Sequence, residues 1–163
     1  MTEIYIGIGT NKGNRLHNIQ LTLEKLKKFI VIDKVSSLYL TQPVQVKGGW
    51  FINCVVKGHT EKEPAQLLQN LLEIEKDLGR VREKKDDKRI IDLDLLFYGE
   101  KIIKEKNLTV PHPRAHQRRF VLIPLTEINP EFKHPLLKKN SHILLDEIED
   151  ASEVLKVESP FLS

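Results

Sequence analysis

The chain has 163 residues, 40% of them apolar and 30% charged, with a formal net charge of +3 and one cysteine. That length suits one compact domain, expected here over 1–163, and the composition excludes a disordered or fibrous chain. The lone Cys54 excludes an internal disulfide, and no stretch approaches the roughly 20 apolar residues that span a bilayer.

Glu3 to Gly9 is rich in β-branched and aromatic residues and predicts a strand, closed by the turn signal "GTNKGN". A helix should follow from Asn14 as N-cap, with Leu16, Ile19, Leu23 and Leu26 on one face and an end near Phe29. Residues 30–40 regain strand character, Pro43 and Gly48-Gly49 mark a loop, and residues 51–59 form another strand. A second helix is expected from about Glu63 to Leu78, with Pro64 in its first turn, where a missing N–H costs little, and Gly79 ending it. A basic loop, 80–89, leads into the strand "KRIIDLDLLFYG", residues 88–99. The order β-α-β-β-α-β predicts an α+β fold, a ferredoxin-like α/β sandwich with an antiparallel sheet and both helices on one face. The other face is left for a ligand or for the rest of the chain. Beyond Gly99 the pattern weakens to a short strand near Lys101–Ile103, an irregular "NLTVPHPRAHQRR", a short helix around Phe120–Leu125 and another near Ile143–Ile148.

No basic region precedes an apolar core in "MTEIYIGIGT", so a cytoplasmic protein is expected. Cys54, set in "FINCVVKG", reads as a packed core thiol. The positive charge is local: "RVREKKDDKR" holds six basic and three acidic residues, and "HPRAHQRR" adds three arginines and two histidines. Such patches suit an anionic partner, although a charge run alone is more often a solvated loop.

Asp92 and Asp94 share one face of an otherwise apolar strand, roughly 6 to 7 Å apart by two residue rises, while Ile91, Leu93 and Leu95 share the other. Two close carboxylates ionise cheaply only beside positive charge, and hard divalent cations take one or two protein carboxylates together with water and phosphate oxygens. The competing reading is an aspartate face turned to solvent. Arg80, Arg82 and Arg89 before the pair, and Arg118 and Arg119 after it, favour a polyphosphate site. The glycines Gly7, Gly9 and Gly13 fit neither common phosphate-loop pattern and are assigned to a tight strand-to-helix turn. His112 and His116 stand four apart, but Pro113 intervenes and no third zinc ligand is evident.

Six stretches in order, "IGIGTNKGNR", "TQPV" followed by "FINCVV", "EIEKDLGRVR", "RIIDLDLLFYG", "LTVPHPRAHQRRFVLIPL" and "EINPEF", resemble the pterin pyrophosphokinase family of folate synthesis. The resemblance implies a ferredoxin-like sandwich that transfers pyrophosphoryl from ATP to the hydroxymethyl group of 6-hydroxymethyl-7,8-dihydropterin, releasing AMP. It implies that Asp92 and Asp94 bind two Mg²⁺ ions, with Arg82 and Arg89 sharing the catalysis, and that Glu75, Arg80, Arg82, Arg89, Thr109, His112 and Arg118 contact ATP. Phe51 and Phe120 would sandwich the pterin, Asn53 would read its edge, and the backbone of Thr41, Pro43 and Val44 would complete that edge. Phe51 stands where tyrosine is frequent, a small change because the face does the stacking. "DDKR" stands where the family commonly has Gly-Pro-Arg, which adds negative charge beside the nucleotide. The partners expected are these small molecules, not nucleic acid or membrane, with a monomer favoured over a dimer. Two rivals remain: a two-metal nucleotidyl transferase, and a single-strand RNA reader, the latter disfavoured by the lack of an RNP1 run.

Overall fold

The computed structural model describes residues 1–43, 49–79 and 90–158. The elements in chain order are β1 Thr2–Thr10, α1 Arg15–Leu26, β2 Val31–Val35, β3 Leu38–Thr41, β4 Phe51–Thr60, α2 Pro64–Asp77 and β5 Asp92–Tyr98. There follow β6 Ile103–Lys104, β7 Thr109–Val110, a 3-10 turn Ala115–Gln117, α3 Arg119–Ile128, α4 Ser141–Glu147 and β8 Val154–Val157. The sheet runs β5-β1-β4-β3-β8, with β2 also on β4, and every pairing is antiparallel. This is the ferredoxin-like order, extended by one outer strand.

Local chemistry accounts for the helix ends. The Asn14 side chain accepts from the His17 amide, satisfying a donor that the first turn of α1 leaves free. Pro64 occupies the first position of α2, and Gly79, at φ 91°, turns the chain out after it. Helix α1 stops at Leu26 rather than Phe29, where the Phe29 and Ile30 amides fold back onto the Leu26 carbonyl.

Alternation along the strands builds two cores. Ile4, Ile6 and Ile8 of β1, with Leu93 and Leu95 of β5, face α1 and α2 and pack on Ile19, Leu26, Leu67 and Leu71. Each such fully buried aliphatic side chain contributes about 1.5–3 kcal/mol. The opposite face carries Tyr5, Val55, Leu96 and Phe97 against Val121, Leu122 and Leu125 of α3 and Leu144 of α4. The rest of the chain therefore covers part of the face left open in the sequence reading. A bulge between Tyr5 and Ile6 lets Leu96 and Phe97 both join this second core.

Three expectations are corrected. The strand placed over 30–40 is two strands, broken where Ser36 replaces a ladder contact: its hydroxyl accepts from the Val55 amide while its own amide donates to the Val55 carbonyl, both at 2.9 Å. Gly7 and Gly9 lie inside β1, paired on both sides, and the turn is confined to the residues after Thr10. The short strand near Lys101–Ile103 is Ile103–Lys104, paired with β7 out of the "irregular" stretch, and β8 was not anticipated. Among the described residues, no helix is long and apolar enough to cross a membrane.

Candidate active site

The part of that second face that α3 leaves open holds a cavity of about 440 Å³. Its floor is glycine. Gly9 on β1 pairs with Asn53 on one side and Asp92 on the other, and Gly7 with Val55 and Asp94. A Cβ at Gly9 would come within 2.5 Å of Asn53 Oδ1, so the absent side chain makes room for that amide. A Cβ at Gly7 would have the Leu96 side chain as its nearest neighbour, at 3.5 Å.

One wall belongs to β4 and β3. Phe51 and Asn53, two residues apart, project from the same face of β4. Asn53 is buried, and its Nδ2 donates to the hydroxyl of Thr41, also buried on the neighbouring strand. This bond fixes the amide with Oδ1 toward Gly9. The Thr41 side chain thus holds the Asn53 amide, in addition to the backbone contact that the resemblance implies for Thr41. Phe120, in the first turn of α3, also lines the cavity, with the Arg118 guanidinium 5.4 Å from its ring centroid.

Another wall carries Asp92 and Asp94, each partly exposed, on the predicted face of β5. His112 is held beside them by its amide, which donates to the Leu96 carbonyl at 2.9 Å. Its Nδ1 accepts from the Arg114 amide at 3.1 Å, which leaves Nε2, 4.0 Å from Asp94, to carry the ring proton. Burial, with Arg118 and then Arg114 adding to it against the pull of Asp92, lowers the His112 pKa to about 4. The ring is thus a neutral donor at physiological pH.

The structure brings Thr41, Phe51, Asn53, Asp92, Asp94, Arg118 and Phe120 to one cavity. Glu75 is buried instead beneath β5, where its Oε2 accepts from the Leu93 amide at 2.9 Å. Thr109 lies in the β6-β7 ribbon, and Pro43 is outside the cavity lining. Arg80, Arg82, Arg89 and Val44 lie outside the described residues, as does the "DDKR" stretch. Gln42, Arg114 and Gln117 also line the cavity and were missed. Only the position of Arg114 and Gln117 within "HPRAHQRR" hinted at them. Cys54 is a packed thiol, pushed by burial up to about 12, and its side chain belongs to the first core.

The donor set discriminates between metals. Among the described residues no group of three or more His, Cys, Asp and Glu is disposed to hold an ion. Two carboxylates at the edge of an open cavity beside an arginine fit a hard cation that takes its remaining ligands from water and phosphate, not a closed zinc site.

Comparison with known proteins supplies the family. Residues 5–130 match the family described as 7,8-dihydro-6-hydroxymethylpterin-pyrophosphokinase (HPPK). The chain is 38% identical over 140 residues to the 2-amino-4-hydroxy-6-hydroxymethyldihydropteridine pyrophosphokinase of Aquifex aeolicus, covering 85% of this chain and 88% of that protein. It is 44% identical over 135 residues to a folic acid synthesis protein of Pneumocystis carinii, covering 82% of this chain but only 18% of that much longer protein. In fold it is similar to the crystal structure of Plasmodium falciparum HPPK-DHPS with pteroate, at a TM-score of 0.76 and 17% identity, over 90% of this chain and 44% of that one. By the match over residues 5–130 and the identity to a pyrophosphokinase covered over most of its length, the chain belongs to the 7,8-dihydro-6-hydroxymethylpterin-pyrophosphokinase family, the pyrophosphokinases of folate synthesis.

Proposed function

We propose that this cavity is where the hydroxymethyl oxygen of 6-hydroxymethyl-7,8-dihydropterin meets the β-phosphorus of ATP, giving the pterin diphosphate and AMP. The observation that carries the reading is convergence: two aromatic rings, a fixed amide, an arginine and a carboxylate pair line one cavity. Phe51 and Phe120 would clasp the flat bicycle from its two faces, with edge recognition by the amide of Asn53 held through Thr41. Because the ring edge offers both donors and acceptors, a preset amide discriminates more strongly than apolar contact alone.

Arg118 and the neutral Nε2–H of His112 would donate to phosphate oxygens, joined by Arg80, Arg82 and Arg89 as the resemblance implies. Asp92 and Asp94 would hold two Mg²⁺ ions, which when bound neutralise phosphate charge and acidify the attacking hydroxyl. The described part of the cavity offers no strong general base near neutrality other than these carboxylates, and His112 loses its proton affinity to burial. Positioning and charge neutralisation then supply most of the rate, as is general for phosphoryl transfer.

Incubation with ATP, Mg²⁺ and 6-hydroxymethyl-7,8-dihydropterin, with chromatography of the nucleotides, tests the assignment. Pterin-dependent AMP without free pyrophosphate is expected. Release of pyrophosphate would move the attack to the α-phosphorus and support the nucleotidyl-transfer rival.

A further inference from the structure

Among the described residues, the strand that carries the two carboxylates is at the end of the sheet, paired with β1 alone. A strand with one neighbour lacks half of its ladder and is freer to fray. Yet the start of β5 is pinned. The Thr10 hydroxyl, at the end of β1, donates to the Ile90 carbonyl. The Asn18 side-chain amide, on α1, lies 3.3 Å from the same carbonyl, 3.2 Å from Thr10 Oγ1 and 2.9 Å from the Lys12 carbonyl. Three residues farther along, the Glu75 carboxylate on α2 accepts from the Leu93 amide.

These side chains are polar where the surroundings are not. Thr10, Asn18 and Glu75 are 0%, 9% and 1% exposed. Burying such groups costs free energy unless each is hydrogen-bonded, and apolar residues of like size would fill the space at lower cost. The three converge on one short run of backbone, fixing a carbonyl two residues before Asp92 and an amide one residue after it. Successive side chains on a strand take their direction from that backbone, so the clamp sets where Asp92 and Asp94 point.

We infer that Thr10 and Asn18, opposed by Glu75, are positioning residues for the carboxylate pair, holding it at the spacing that a polyphosphate-bound divalent cation requires. The inference rests on the assignment of Asp92 and Asp94 as metal ligands. It gives the sequence stretch "GTNKGN" a role that a simple turn does not explain: the turn brings Thr10 and Asn18 together against Ile90.

The test is Mn²⁺ titration by electron paramagnetic resonance, in the presence of a non-hydrolysable ATP analogue, on the wild type and on Thr10→Val, Thr10→Ser, Asn18→Leu and Asp94→Ala. Groups that orient a metal ligand typically change affinity about 10- to 100-fold when removed. Thr10→Val and Asn18→Leu are therefore expected to weaken Mn²⁺ binding about tenfold, Thr10→Ser to restore it within about twofold, and pterin affinity measured without metal to stay unchanged. If Asn18→Leu fails to fold, Thr10→Val, which exchanges one hydroxyl for a methyl, carries the test. A lowered thermal midpoint with Mn²⁺ affinity unmoved in the folded variants would overturn the inference, leaving these residues as supports of the fold. Wild-type Mn²⁺ affinity in Asp94→Ala would instead overturn the metal assignment itself, whatever the clamp variants do.

Discussion

Gly9→Ala puts one methyl group where the structure leaves no room. The new carbon would stand 2.5 Å from Asn53 Oδ1 and 3.6 Å from both Asn53 Cγ and the Phe51 ring. The Asn53 amide must retreat by several tenths of an ångström, and it is buried with its Nδ2 committed to the Thr41 hydroxyl. Breaking that bond leaves a buried polar group short of a partner, about 1–3 kcal/mol, offset by the roughly 0.5–1 kcal/mol that alanine gains over glycine in a strand. A net loss of about 1–2 kcal/mol in urea unfolding is expected. Because the same amide is assigned to the pterin edge, calorimetric pterin affinity should fall about 10- to 30-fold while the KM for ATP stays within about twofold. Gly7→Ala is the control: its methyl would meet Leu96 at 3.5 to 3.7 Å, an ordinary contact, so stability should hold or rise slightly. Unchanged pterin affinity in Gly9→Ala would refute the reasoning.

Asp94→Ala should reduce turnover at least about 10³-fold with an unchanged far-UV dichroism spectrum, because the partly exposed carboxylate is assigned to a metal and not to packing. Phe120→Ala removes one of the two rings proposed to clasp the pterin, and the surface beneath Arg118, so the pterin KM should rise about 10- to 100-fold in steady-state assays. His134 is a buried neutral imidazole whose Nδ1 accepts from the Leu136 and Leu137 amides, with its pKa lowered to about 4 by burial and then by His116. The unfolded chain takes up that proton first, near pH 6.5, so this contribution to stability is complete above pH 6.5 and is lost as pH falls toward 4, by about 3 kcal/mol. Urea unfolding at pH 7 and 4.5 should give a smaller difference for His134→Asn than for wild type, on top of the slope that His112 contributes in both.

The carboxylate strand was the most legible part of the chain, because alternation is geometric: with Ile91, Leu93 and Leu95 inward, Asp92 and Asp94 have only the other face. Helices with caps and periodic leucines were equally plain. The break at Ser36-Ser37 was hidden because both flanking halves are strand-like and the serine hydroxyl stands in for a ladder partner. The four residues of β8 carry no turn signal of their own, and what makes them a strand is the open edge of β3. Gly7 and Gly9 fell within the predicted strand over 3–9, yet the glycine-spaced stretch was also given to the turn, because spaced glycines look alike whether they serve a turn or clear a floor. Phe51, Asn53 and Phe120 were reached through resemblance, since buried rings and amides are ordinary core components until a cavity is seen between them.

Leu96, Val55 and Val121 belong to the second hydrophobic core and also form the lining of the cavity. That core is consequently unfinished on one side, and a flat substrate bound between Phe51 and Phe120 as proposed would become its last layer. Binding would then be partly a folding event. The apo protein should open first around α3, exchanging amide hydrogens fastest there, and saturation with the pterin at a hundredfold excess over its dissociation constant should raise global stability by about 2.7 kcal/mol.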